Sequence, residues 1–260
     1  MRVLITGITG PVGSFLADHL LTIPGLELHA FKRWRSDPRP IAHLLGHVAI
    51  HEGDIEDAFA VAQYGTVRPD EVPIREDRPM RPGSPYGVSK VAAELTGLQY
   101  HDNFGMHVLV TRSFNHVGPR QGDRCSIQTF CRQMAAIELG LQEPLLHVGN
   151  LEPRRDFTHT RDVARALWLL IERGAPGEVY NLCSGRATRI GDIVAMVLER
   201  GRVPAEVRTD PARLRPSDEP VLQGDNRKLR AATGWEPTVS IEQIVDELLE
   251  YWRARLAKEG

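Results

Sequence analysis

Met1-Arg2-Val3-Leu4-Ile5-Thr6-Gly7-Ile8-Thr9-Gly10-Pro11-Val12-Gly13 opens the chain, and its reading decides the fold class. Val3–Thr6 is a short apolar run that stops at a glycine. Pro11–Leu21 follows, with Val12, Phe15, Leu16 and Leu20 recurring at helical spacing. Strand, glycine turn and helix therefore succeed one another without a break. Gly7, Gly10 and Gly13 stand at the mouth of that helix. Glycine lets the backbone approach a pyrophosphate, and a helix N-terminus supplies free N–H groups and partial positive charge. Gly7, Gly10, Val12 and Gly13 are thus the candidate cradle for a dinucleotide cofactor. The bland alternative is a tight turn that binds nothing.

Working outward, Leu26–Phe31 and His47–His51 read as second and third strands, with a short helix near Ile41–Leu45 between them. Alternating β and α predicts a parallel sheet covered by helices. The second strand runs into Lys32-Arg33-Trp34-Arg35, with no carboxylate before Asp37. A carboxylate there would bind the ribose 2′-OH of NAD, whereas arginine forks bind a 2′-phosphate, so Arg33 and Arg35 predict NADP(H). Beyond Asp54, a helix is expected over Asp57–Gln63 and an exposed loop over Thr66–Gly83. Ser84–Phe104 then reads as a long helix and His107–Thr111 as a strand. Further helices are expected over Ser126–Leu139, His159–Glu172, Arg189–Glu199, Asn226–Ala232 and Ser240–Ala257.

The chemistry-bearing pair is Tyr86 and Lys90 in Pro85-Tyr86-Gly87-Val88-Ser89-Lys90. Four residues apart on a helix, they share one face. A phenol is a poor acid–base group at neutral pH, and a neighbouring ammonium makes it a better one by stabilising the phenolate. Tyr86 and Lys90 are the candidate catalytic residues, and Lys90 can also reach a cofactor ribose.

Composition narrows the setting. The 260 residues carry 32 Lys+Arg against 34 Asp+Glu, a net charge of −2 with no basic footprint for nucleic acid. No apolar run approaches the roughly 20 residues that span a bilayer. The chain starts directly in a strand pattern, which leaves no room for a signal peptide. Cys125, Cys131 and Cys183 are odd in number and form no CxxC pair, so neither a disulfide framework nor a metal site is expected. The expectation is a cytoplasmic enzyme with no membrane contact.

The glycine loop, the Tyr86–Lys90 helix and a series of later segments resemble the extended short-chain dehydrogenase/reductase superfamily, and within it the GDP-mannose branch. Those segments are Arg112-Ser113-Phe114-Asn115-His116-Val117-Gly118-Pro119-Arg120-Gln121, Gly149-Asn150-Leu151 with Arg155-Asp156-Phe157 and Arg161-Asp162-Val163, Tyr180–Gly185, and Leu214-Arg215-Pro216-Ser217-Asp218. The resemblance runs over nearly the whole chain and is closest to reductases of a GDP-4-keto-6-deoxy sugar. It implies a Rossmann-like doubly wound parallel sheet with a smaller α/β substrate domain. Residues 1–112 and 157–182 are expected to bind the dinucleotide, and 113–156 and 183–260 the sugar nucleotide. It implies Asp54 near the adenine, and a homodimer acting on a GDP-sugar. A diphosphate needs fixed cations, which makes Arg155 and Arg215 candidates. Asn115, both donor and acceptor, suits sugar or nicotinamide-side contacts, and Asp218 suits ribose hydroxyls. Asp162 is expected to brace its helix, and Trp235 with Pro237 to form a structural corner.

The same branch contains 4,6-dehydratases, which place a glutamate just before a Tyr-Gly pair. Here Phe59-Ala60-Val61-Ala62-Gln63-Tyr64-Gly65 has no carboxylate, which favours a reductase. The resemblance also exposes a gap. Only nine residues separate Asp54 from Tyr64. The superfamily has there a strand–helix–strand unit, which takes roughly 30 or more residues. That unit carries the family's Ser/Thr partner of the catalytic tyrosine, a position that falls near Ala60 here. Two outcomes are open: the sheet closes up, setting strand six on strand one, or the real polypeptide contains a segment absent from these 260 residues. As it stands, the 260-residue chain is expected to fall short of full catalysis.

Overall fold

The computed structural model describes residues 1–32, 36–52, 64–65, 67–122, 125–214 and 219–259. Arg33, Arg35, Asp54, Arg215, Asp218 and the helix expected over Asp57–Gln63 lie outside the described residues. The opening segment forms β1 (Arg2–Thr6), α1 (Pro11–Leu21), β2 (Glu27–Lys32) and β3 (Ala49–Glu52). The three strands make a parallel sheet in the order β1-β2-β3, with Arg2 opposite Glu27 and His29 opposite Ala49. Ile5, Ile8, Ala17, Leu20, Leu28, Ile41 and Leu44 form the core beneath it. The helix expected near Ile41–Leu45 is a 3-10 turn over Arg39–Leu44. Pro38 and Pro40 flank its start, and too few residues follow to build regular helix.

Next come α2 (Pro85–Phe104), β4 (Val110–Ser113), β5 (Asn115–Val117), α3 (Ser126–Glu138), β6 (Leu145–Val148), β7 (Arg154–His159) and α4 (Thr160–Arg173). The remainder is β8 (Val179–Leu182), β9 (Ala187–Arg189), α5 (Ile190–Arg200), β10 (Glu206–Thr209), β11 (Val221–Leu222), α6 (Arg227–Thr233) and α7 (Ile241–Glu259). β4 pairs in parallel with β8, and β6 with β10. β7 lies between β5 and β11, with β9 antiparallel to it. The largest core joins α3, α5 and α7 around Phe130, Met134, Leu248 and Trp252. Among the described residues no helix is long and apolar enough to cross a membrane.

The sheet does not close. Among the described residues β1 pairs only with β2, and β4 only with β8. Strand six (β4) does not move onto strand one. It is tied instead to β8 and to the chain at 64–76: Arg112 of β4 donates to the Tyr64 hydroxyl at 3.0 Å and to the Glu76 carbonyl at 2.9 Å. Among the described residues no strand pairs with the outer edge of β1, and Leu4 is 60% exposed. The block of β1–β3 reaches the rest of the molecule through α1 and α4, where Trp168 of α4 completes its core.

Candidate active site

The glycine loop has the form its spacing implies. Gly7 takes a left-handed φ of +69°, and the Gly10 N–H donates to the Gly7 carbonyl at 2.9 Å. A Cβ at Gly13 would collide with that same carbonyl, which is why the third position takes glycine. Gly10 precedes α1 without any side-chain cap, and the first turn holds no acidic residue. The early N–H groups, Val12 and Gly13 among them, have no helical carbonyl to bond. The loop thus presents backbone donors and a close backbone approach, which fits a diphosphate.

Tyr86 and Lys90 sit in the first turns of α2. Ser84 fixes where that helix begins, its hydroxyl accepting the Gly87 N–H at 3.1 Å. Gly105, at φ +65°, ends it. Tyr86 is 38% exposed, and Lys90 Nζ lies 5.9 Å from the centre of its ring. The shared face is therefore real. Of the apolar residues of α2, Val88, Ala92 and Leu95 are exposed, whereas Val91 and Leu98 are half-buried.

Behind α2 lies a buried polar hub that spacing did not announce. Glu94 grips Arg112 with both oxygens, at 2.6 and 2.9 Å. Tyr64 donates its hydroxyl proton to Asn181 Oδ1 of β8 at 2.6 Å. Burial pushes the Tyr64 phenol up to about 12, against the pull of Arg112. Burial works against the Arg112 charge too, but its bonds to Glu94 and Tyr64 outweigh that and raise its pKa. The partners are 18, 48 and 117 residues apart, so no local motif joins them. The Tyr64-Gly65 pair is built into this hub.

Asn115 opens β5 beside Phe157 of β7, and its side-chain oxygen is buried with no protein partner. Beside it, burial pushes the His116 imidazole down to about 4, which keeps it neutral. Arg155 donates to the carbonyls of Arg154 at 3.0 Å and Glu219 at 2.6 Å. Asp156 accepts from Ser184 N–H and hydroxyl, Gly185 N–H and Gly224 N–H. Burial nonetheless pushes its carboxyl up to about 6. Asp162 braces α4 as expected, accepting from Thr238 and Val239 N–H at 2.8 and 3.0 Å. Trp235 is fully buried and donates to the Asp162 carbonyl at 2.9 Å, a structural corner.

Comparison with known proteins follows the same outline. The GDP-mannose 4,6 dehydratase family model matches residues 60–248, and the NAD dependent epimerase/dehydratase family model matches residues 3–74. The GDP-6-deoxy-D-mannose reductase of Pseudomonas aeruginosa is 38% identical over 196 residues, or 75% of this chain. The chain spans 64% of that relative's length. The GDP-mannose 4,6-dehydratase of Yersinia enterocolitica is 25% identical over 347 aligned positions, covering 95% of this chain and 92% of that protein. Since 95% of 260 residues is about 247, roughly 100 of those 347 positions face no residue here. The solved structure of RMD from Pseudomonas aeruginosa complexed with NADPH superposes with a TM-score of 0.81 at 28% identity, covering 98% of this chain and 99% of that one. With its glycine-loop α/β fold, its Tyr86–Lys90 helix and a family match over most of its length, the chain belongs to the GDP-mannose 4,6 dehydratase family of Rossmann-like nucleotide-sugar enzymes.

Proposed function

We propose that this chain binds NADP(H) and a GDP-sugar, and that its reaction is reduction of the C4 ketone of a GDP-4-keto-6-deoxyhexose. The observation that carries this reading is one face of α2 holding Tyr86 and Lys90 in a chain whose 38%-identical relative is a GDP-6-deoxy-D-mannose reductase. The absence of a carboxylate in Phe59–Gln63 supports reduction over dehydration.

In this reading the first turn of α1 holds the cofactor diphosphate through backbone N–H groups, and Arg33 and Arg35 take its 2′-phosphate. Asp54 binds at the adenine end. The nicotinamide, when bound, supplies the hydride that reduces C4. Tyr86 Oη gives its proton to the ketone oxygen, which becomes the C4 hydroxyl. The Lys90 ammonium, one turn further on, stabilises the phenolate left behind. Asn115 Oδ1, unpaired in the protein, accepts from a sugar hydroxyl. Arg155 and Arg215 neutralise the GDP diphosphate, and Asp218 accepts from the ribose. A homodimer through the exposed Val88–Leu95 face of α2 belongs to the same reading.

Turnover is expected to be slow. The glycine loop follows β1 and Tyr86 precedes β4, and these strands lie in separate ladders. A misplacement of about 1 Å between reacting groups costs on the order of 10²-fold in rate. The separation favours a second reading, a nucleotide-sugar binder with little catalysis. The test is a purified chain offered NADPH with a GDP-4-keto-6-deoxy sugar, and GDP-mannose alone in parallel. The expected result is binding of NADPH and GDP with slow, Tyr86-dependent NADPH oxidation. Consumption of GDP-mannose alone would assign dehydration instead. Binding without oxidation would leave the binder reading, and robust oxidation would overturn the expected impairment.

A further inference from the structure

The Tyr86–Lys90 helix has little apolar anchorage. On α2 only Gly87 and Glu94 are buried, while Val88, Leu95, Tyr100 and Phe104 are exposed. Within one chain Val91 and Leu98 are only half-buried, so apolar packing alone does not fix the rotation of the helix about its own axis. Glu94 supplies what that packing does not. It lies four residues beyond Lys90 and eight beyond Tyr86, so the three share one face. Both of its oxygens meet the Arg112 guanidinium fork, a geometry that fixes angle as well as distance. The guanidinium cannot follow the helix. Its Nη1 is held by the Tyr64 hydroxyl and the Glu76 carbonyl, and Tyr64 is held in turn by Asn181 of β8. Asn181 is itself fixed, its N–H donating to Glu76 Oε1 at 2.8 Å.

We propose that Glu94 and Arg112 are positioning residues that set the orientation of Tyr86 and Lys90, an inference that rests on the reductase reading above. They act through α2 and touch neither cofactor nor sugar. The test is a double-mutant cycle between Glu94→Gln and Lys90→Met, read on NADPH affinity by nicotinamide fluorescence and on kcat and KM for the 4-keto sugar. Glu94→Gln is expected to weaken NADPH binding and to lower kcat by about 10²-fold, with sugar KM unchanged. The double variant is expected to bind NADPH no worse than Lys90→Met alone, because Glu94 acts through Lys90. Glu94→Asp, which keeps the charge but shortens the reach, is expected to fall between. Should Glu94→Gln fail to fold, the pair Glu94→Gln/Arg112→Met leaves no charge unpaired and takes its place in the cycle. Additive losses, or a folded variant that binds and turns over like the native chain, would overturn positioning. A native chain that does not bind NADPH would overturn both readings. Binding without turnover would overturn the reductase reading alone, and the affinity cycle would then decide positioning by itself.

Discussion

Single residues decide two properties of the site. Gly13→Ala drives a methyl into the Gly7 carbonyl, and relief requires a backbone shift. The expected cost is about 1–3 kcal/mol in urea unfolding, together with loss of NADPH binding by fluorescence titration. Tyr64→Phe removes a buried hydroxyl that serves both Asn181 and Arg112. Asn181 Oδ1 is left without its donor and Arg112 Nη1 keeps only the Glu76 carbonyl, so the expected loss is about 1–3 kcal/mol by the same measurement. The two positions differ in how legible they were. Gly13 is read from neighbours three and six residues away, because a turn and a helix mouth are local objects. Tyr64 is surrounded in sequence by Gln63 and Gly65, and nothing near it specifies Arg112 or Asn181.

At the scale of elements, the stretch expected to be a plain exposed loop is a clamped one. Glu71 accepts from the Arg68 N–H at 2.8 Å, from Arg78 at 2.9 Å and from Arg81 at 3.1 Å. The Arg68 N–H first, then Arg78, hold its carboxyl down from 4.5 to about 2. The native state therefore binds this proton more weakly than the unfolded chain. Its contribution is present above pH 4.5 and is lost as pH falls toward 2. Denaturant titrations across that window are expected to show a shallower pH slope for Glu71→Gln than for the native chain. The helices were legible from apolar periodicity, to within a residue or two at most ends. α7 buries Ile244, Leu248, Leu249 and Trp252 against α3 and α5. Trp252→Ala empties a packed site and leaves Gln128 Oε1 without the indole N–H it accepts at 2.7 Å. The expected cost is about 3–5 kcal/mol by urea denaturation. Strands β5, β9 and β11 span only two or three residues, too few for any alternation to register, and they exist because β7 runs between them.

At the scale of the whole molecule, the sizes of the two cores set the balance of stability. The β1–β3 block has a small core that depends on Trp168 of α4, whereas α3, α5 and α7 enclose the largest one. Local stability follows buried apolar contact. Amide hydrogen exchange followed by mass spectrometry is expected to show β1–β3 opening before α3, α5 and α7. Trp168→Ala is expected to widen that difference, since it removes a contact that joins the block to the rest.

The amino-acid sequence by itself determined the glycine turn after the first strand, the shared face of Tyr86 and Lys90, the βα alternation and the length of chain between Asp54 and Tyr64. All of these depend on residues within a few turns of one another. Only the tertiary structure decided that, among the described residues, β1 and β4 stand in separate ladders, and that Glu94, Arg112, Tyr64 and Asn181 meet in one buried network behind α2. Strand neighbours and buried ion pairs are chosen by which distant segments meet in space. Among the described residues β4 is committed to β8 and to the Tyr64 hub, and no local pattern in its sequence names either partner.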